Sequence, residues 1–178
     1  NYNIADAIYA ASLLNACINR GDIITNTGIY HLINVMGNYR IEKKKIWKTP
    51  TTLVLELYTK FHKGKILKSV VNSSNFVSFK LGKQPEYKNN KLIDSAVTMN
   101  GKHMCMSVVN KSSSEKMLLK VPYLDRIVEN YCIEGSNKVD LNTYANTSKV
   151  KIKQNSLKTN KGFLILPPHS ISVVLFNI

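Results

Sequence analysis

The sequence predicts an α/β unit of helix, strand and helix over residues 1–65, followed by an antiparallel β-sandwich of jelly-roll type over residues 66–178. Three observations carry this expectation. Helical apolar spacing appears only before Gly64, period-two alternation takes over after it, and the chain closes on Pro167-Pro168 feeding the apolar run Ser170 to Phe176. Proline fixes φ and donates nothing to a ladder, so a Pro-Pro pair ahead of a short last strand suits the closing turn of a sandwich.

The first helix is expected over Asn3 to Arg20, with Ile4, Ala7, Ile8, Ala11, Leu14, Ala16, Cys17 and Ile18 forming a wide apolar stripe. Asn3 suits the N-cap, Asp6 suits the positive end of the helix, and Gly21 ends it. Ile23, Ile24 and the run Ile29 to Val35, broken by Gly28 and closed by Gly37, then read as a buried strand and loop. A second helix follows, capped by Thr49, with Pro50 at its first position and Leu53, Val54, Leu57, Tyr58 and Phe61 behind it, stopping at Gly64. One such unit closes neither a parallel sheet nor a barrel, so its partner strands are expected elsewhere.

Beyond a boundary at residues 64–72, Leu92 to Met99 and His103 to Asn110 flank Asn100-Gly101, the pair favoured in type I′ hairpins because both positions tolerate positive φ. Glu115 to Val121, Arg126 to Ile133, Val150 to Ile152, Phe163 to Leu166 and Ser170 to Phe176 supply further strands between Asn-, Ser-, Gly- and Pro-rich turns.

The 178 residues, 44% of them hydrophobic, suffice for one core, or for a small domain with a piece of another. The chain opens on Asn1 directly into a helical pattern, which points to processing or truncation rather than a signal peptide, and no apolar run reaches the ~20 residues of a membrane helix. The formal charge of +14 raises a nucleic-acid or anionic-surface partner. Only Arg20, Arg40 and Arg126 are arginine, however, and the lysines are scattered apart from Lys43-Lys44-Lys45 with Lys48. Bidentate recognition of bases and phosphates favours arginine, so a solvated lysine-rich loop is expected, with neither nucleic acid nor membrane as partner. Cys17, Cys105 and Cys132 are odd in number and form no metal-ligand spacing, which suggests three buried small hydrophobes in a reducing, cytoplasmic setting. The sequons at Asn72, Asn110 and Asn146 are what an Asn-rich composition yields by chance.

Sugar hydrolysis needs two carboxyl groups facing one another across the scissile bond. Glu56 falls on a helix and Asp94, Glu115, Asp125, Glu129 and Glu134 scatter along strands and turns, so no catalytic pair is expected here. There is no G-x-S-x-G elbow, no Gly-rich phosphate loop, and no nucleophile matched to His31, His62, His103 or His169; no cofactor or metal is expected. His31, inside the apolar run Ile29 to Val35, is either a satisfied core histidine or a side chain delivered to a site at a strand end, and Asn34 carries a weaker version of the same case.

The order of segments resembles the α-L-arabinofuranosidases of glycoside hydrolase family 51. The resemblance rests on Asp6-Ala7 through Leu14-Asn15-Ala16-Cys17 to Gly21-Asp22, on Leu32-Ile33-Asn34-Val35, and on Thr49-Pro50-Thr51 through Leu55-Glu56-Leu57-Tyr58. It continues through Ser107-Val108-Val109-Asn110-Lys111-Ser112, Asn142-Thr143-Tyr144-Ala145-Asn146 and Leu166-Pro167-Pro168-His169-Ser170. It implies that residues 1–65 are the final helix-strand-helix portion of a (β/α)8 TIM barrel and that residues 66–178 are the family's C-terminal sandwich. The catalytic glutamates would then lie upstream of Asn1, and the sandwich would borrow a strand from the enzyme's own N-terminus.

The implied activity is retaining, exo-acting removal of terminal arabinofuranosyl residues from arabinan or arabinoxylan oligosaccharides by a homo-oligomer. At the family's sugar-binding glutamine this sequence has His31, preceded by Tyr30 in place of a small residue, so His31 is the expected substrate-binding residue. Ala145 stands where the family has an acidic residue, and Thr147 where it has proline. The competing readings are a stand-alone carbohydrate-binding or scaffolding sandwich and a related glycosidase acting on another plant polysaccharide.

Overall fold

The computed structural model describes residues 2–28, 31–35 and 37–178. Helix α1 (Ile4–Asn19) begins on a complete capping box: the Asn3 side chain accepts from the Ala5 and Asp6 amides, and the Asp6 carboxylate accepts from the Asn3 amide at 2.9 Å. Its buried stripe is Ile4, Ala7, Ala10, Ala11, Leu14 and Asn15; Asn15 is turned inward, and the expected Ala16 is not part of it. Helix α2 (Pro50–Phe61) has Thr49 as N-cap and Pro50 at its start, as read from sequence, and buries Leu53, Val54, Leu57 and Tyr58. Gly64 beyond it has φ of +77°, with a carbonyl and a Cα where a Cβ would sit, so glycine is required.

Between the helices lies a short hairpin, β1 (Tyr39–Glu42) and β2 (Lys45–Lys48), with exposed Lys43 and Lys44 at its tip. Then follow β3 (Lys65–Leu67), β4 (Asn75–Ser78), β5 (Tyr87–Lys91), β6 (Ile93–Asn100), β7 (His103–Asn110) and β8 (Met117–Lys120). The chain ends with β9 (Ile127–Glu134), β10 (Ile152–Gln154), β11 (Lys158–Asn160), β12 (Phe163–Leu166) and β13 (Ser170–Asn177).

The main sheet has six strands in the order β10-β9-β13-β7-β6-β3, all its pairings antiparallel; a second sheet has the order β11-β12-β8. The central strands are buried on both faces, because alternate residues serve two cores. Cys105, Val109, Tyr131, Ile133, Ile171 and Val173 pack against α1 and α2. Met104, Met106, Val108, Val174 and Phe176 pack with Leu164 and Leu166 of the second sheet. The result is three layers, with helices, main sheet and small sheet in succession. The Pro167-Pro168 turn carries the chain from β12 in the small sheet to β13 in the main one.

Three expectations need correction. The barrel-type helix-strand-helix is not evident: residues 31–35 form only an isolated parallel bridge between Ile33 and Tyr39, and Ile23, Leu32 and Val35 are 65%, 62% and 72% exposed. Ile29 and Tyr30, the first part of that expected strand, lie outside the described residues. A parallel strand needs ladder partners on both sides and covering layers on both faces, and none of the described residues supplies them. The β6–β7 turn consists of Gly101-Lys102, closed by the Asn100–His103 pair, with positive φ at Gly101 alone, which is the type II′ rather than the type I′ pattern. The Lys43 to Lys48 loop is solvated as expected over Lys43, Lys44 and Lys45, but it is the tip and second strand of a β-hairpin.

Candidate functional site

The family-like segments converge on buried polar side chains that act as staples. Asn15, fully buried on α1, accepts from the Tyr58 hydroxyl of α2 at 2.7 Å and from Ser107 Oγ of β7 at 2.6 Å, joining both helices to the main sheet. Burial raises the ionisation of Tyr58 well above the usual phenol range, so it is a neutral donor at any physiological pH. Asn110, fully buried at the end of β7, donates to the Pro167 and Glu115 carbonyls at 2.7 and 3.0 Å and accepts from the Ser112 amide, fixing the Pro-Pro turn. Asn142 donates to the Lys48 and Val150 carbonyls and accepts from the Val150 amide, while its own carbonyl accepts from Trp47 Nε1 at 3.0 Å.

No acid/base pair gathers among the expected carboxylates. Glu56 pairs with Lys48 at 2.7 Å, Asp94 with Lys111 at 3.9 Å and Glu134 with Lys153, while Glu129 accepts from the Tyr131 hydroxyl. Among the described residues, no group of three or more His, Cys, Asp or Glu is placed to hold a metal, and no helix is long and apolar enough to cross a membrane. Cys105 and Cys132 are buried and burial pushes both thiols up to about 12, which removes them as nucleophiles; Cys17 is half-buried.

His31 is exposed, and its carbonyl accepts from the Asn38 amide at 3.0 Å, which ties the irregular segment to the start of β1. Asn34 is held in the same way: its side chain accepts from the Ile41 amide at 2.8 Å and its amide donates to the Tyr39 carbonyl. From Asn34 the surface falls into a hollow of about 400 Å³ bounded by the β1–β2 hairpin and the Leu141 to Tyr144 loop. The hairpin register places Arg40 opposite Trp47 and Glu42 opposite Lys45, so these four side chains share one face. Trp47 and Lys45 dock that face on the loop: the Trp47 and Tyr144 rings meet edge-on at 6.3 Å, and Lys45 Nζ lies 4.4 Å from the Tyr144 ring centre and donates to the Tyr144 carbonyl.

A second opening, of about 620 Å³, is apolar and runs between β8 and the strand-free stretch 68–72, floored by Val97, Met104, Met106 and Phe176. β8 is the edge of the small sheet on that side.

A three-layer β domain with a pair of N-terminal helices, stapled by buried asparagines and lacking a carboxylate pair, is the class of an accessory domain of a glycoside hydrolase. The chain belongs to the alpha-L-arabinofuranosidase C-terminal domain family, whose model matches residues 1–170. Its fold is that of solved family 51 enzymes. Against the arabinose complex of the Thermotoga maritima α-L-arabinofuranosidase the TM-score is 0.84 at 22% identity, over 99% of this chain and 39% of that one. Against the thermostable Thermotoga petrophila enzyme it is 0.83 at 23% identity, over 99% and 39%. Against the Bifidobacterium longum family 51 enzyme it is 0.83 at 17% identity, over 99% and 35%. This chain therefore spans less than two-fifths of the length of these structures. No curated protein matches the sequence.

Proposed function

We propose that this chain is the C-terminal part of a retaining, exo-acting α-L-arabinofuranosidase that removes terminal arabinofuranosyl residues from arabinan or arabinoxylan oligosaccharides. In this reading residues 1–65 complete a (β/α)8 barrel, residues 66–178 form the sandwich that braces it, and an upstream part of the same cytoplasmic, homo-oligomeric protein supplies two glutamates, one as acid/base and one as nucleophile.

The observation that carries the reading is the apolar surface of residues 1–65. Tyr9 and Leu13 of α1, together with Ile23, Leu32, Ile33 and Val35, face solvent, while the opposite side of α1 is packed on the sheet. A helix apolar on two sides and an apolar run with no ladder are what a barrel's last unit presents when its neighbours are not in contact. The groove beside the β8 edge supports the second half of the reading, because an added strand there would pair with β8 and cover Met104, Met106 and Phe176.

His31 lines the sugar site in this reading and hydrogen-bonds a hydroxyl of the bound arabinose through an imidazole nitrogen. The test is hydrolysis of 4-nitrophenyl α-L-arabinofuranoside by the full-length protein. Activity with an elevated KM or a lowered kcat in His31→Ala supports both the reaction and the role. No hydrolysis of the arabinofuranoside overturns the reaction, and unaltered kinetics in the variant removes His31 from the site.

A further inference from the structure

The hollow between the β1–β2 hairpin and the Leu141 to Tyr144 loop is built from parts that make no sense as packing alone. Arg40 is half-buried and Glu42 exposed, and among the described residues neither side chain makes a hydrogen bond or ion pair, although the register puts both on the face that Trp47 and Lys45 use to dock. Extended surface arginines are commonly solvated, but here the guanidinium stands in a walled cavity of about 400 Å³ next to a carboxylate, the Thr143 side chain and the Tyr144 ring.

The chemistry of that wall discriminates among ligands. A guanidinium alone, with Lys43 and Lys45 close to the Tyr144 ring, would favour an anion. Glu42 in the same hollow opposes an anion and accepts from hydroxyl groups, while Arg40 donates to them and the aromatic edges offer C–H contact. A donor fork, an acceptor carboxylate and aromatic surface together match a neutral, polyhydroxylated ligand.

The position fits as well. Asn34, three residues beyond His31 on the same segment, lies on the rim of the hollow, so the cavity begins where the proposed sugar site ends. We propose that this hollow is a subsite for the remainder of the saccharide chain. It would hold the arabinosyl units on the leaving-group side of the bond, with Arg40 and Glu42 as their hydrogen-bonding partners and the sandwich loop, through Thr143 and Tyr144, as the second wall. The inference rests on the reading of the protein as an arabinofuranosidase. It assigns to the C-terminal sandwich a direct part in choosing oligosaccharide over small glycosides.

The experiment compares kcat/KM of the full-length protein for α-1,5-linked arabinotetraose and for 4-nitrophenyl α-L-arabinofuranoside, in the wild type and in Arg40→Met and Glu42→Gln. The expected result is a fall of about tenfold in the tetrasaccharide-to-nitrophenyl ratio in each variant, about 1.4 kcal/mol of lost discrimination. A ratio that stays at the wild-type value overturns the subsite, including the case in which both substrates lose activity together because the hairpin is disturbed. A wild type that cleaves neither substrate overturns the arabinofuranosidase reading instead. The hollow is then judged by calorimetric titration with arabinotetraose: binding that weakens in Arg40→Met sustains it, and absence of heat, or equal heat in wild type and variant, overturns it.

Discussion

The Tyr58 hydroxyl donates to Asn15 Oδ1 at 2.7 Å, and Ser107 Oγ donates to the same oxygen at 2.6 Å. One amide oxygen thereby holds α1, α2 and β7 together in a layer otherwise built from Ile4, Ala11, Leu14, Leu57 and Val109. The Asn15 amide nitrogen has no partner as placed. Rotating the amide would let it donate to both hydroxyl oxygens, which could then donate to the Ala11 and Ala96 carbonyls at 3.3 and 3.4 Å.

Tyr58→Phe removes one donor and leaves Asn15 a second one, so it should cost about 1 kcal/mol, or about 2–4 °C in Tm. Asn15→Leu strands two hydroxyls in the core and should cost about 2–4 kcal/mol. The double variant should cost less than the sum of the two, and a double-mutant cycle by thermal unfolding reads the coupling. Strict additivity would show that the two side chains do not interact.

Asn142 makes three side-chain hydrogen bonds to backbone, two to Val150 and one to Lys48, in a site only 6% exposed. Asn142→Ala leaves these buried groups unpaired and should destabilise by about 3 kcal/mol. Asn142→Asp keeps the acceptor for the Val150 amide but sets a carboxylate oxygen against two carbonyls, and should be worse than alanine. Amide hydrogen exchange locates the loss: protection should fall at Val150 and in β2 before it falls in β7 and β13.

Two groups set the response to acid. Asp140 is buried; a hydrogen bond from Lys149, joined by Ser136 and the Asn137 amide, holds its carboxyl down at about 2, against burial that would raise it. Its folded value lies below its unfolded one, so its contribution is complete above about pH 4 and is lost as pH falls through 2. Burial lowers His62 to about 4. Its contribution is complete above about pH 6.5 and is lost as pH falls from there through 4, because the unfolded chain takes up the proton first. His62→Gln should flatten the stability profile between pH 6.5 and 4 while leaving the fall below pH 4, and Lys149→Met should weaken only the latter. Thermal unfolding across this pH range separates the two; a profile unchanged in His62→Gln would place the titration elsewhere.

The legibility of the chain follows which interactions are local. Both helices were readable because caps and periodicity agree in the sequence itself, Asn3 with Asp6 and Thr49 with Pro50. β6, β7 and β13 were readable as long apolar strands, although their near-continuous burial comes from serving two cores at once. The β1–β2 hairpin was hidden by its lysines, and its alternation of Arg40 and Glu42 with Ile41 gains meaning only when Trp47 meets the Asn142 carbonyl, 95 residues away. For that reason sequence reasoning found Asn34 but missed Arg40 and Glu42. β4 and β5 were missed because they pair with each other and bury little, leaving Val77, Phe79, Leu81 and Tyr87 exposed. The run Ile29 to Val35 carries a strand's composition, but a ladder is a property of two chains and composition supplies one.

The groove at β8 leads to the last prediction. Its floor is apolar, its rim is an unpaired strand edge, and the β4–β5 arm presents Phe79 and Leu81 at 81% and 77% exposure. An open edge over an apolar floor recruits whatever strand it meets. Residues 1–178 expressed alone should therefore self-associate in size-exclusion chromatography or melt without a cooperative transition, whereas the full-length protein should not. Placing charge on that floor distinguishes the edge from the arm: Met104→Lys should disperse the aggregates if β8 recruits the strand, and Phe79→Lys should do so if the arm is responsible. A sharp, reversible, monomeric transition for the unmodified 178 residues would show that the β8 edge needs no further strand.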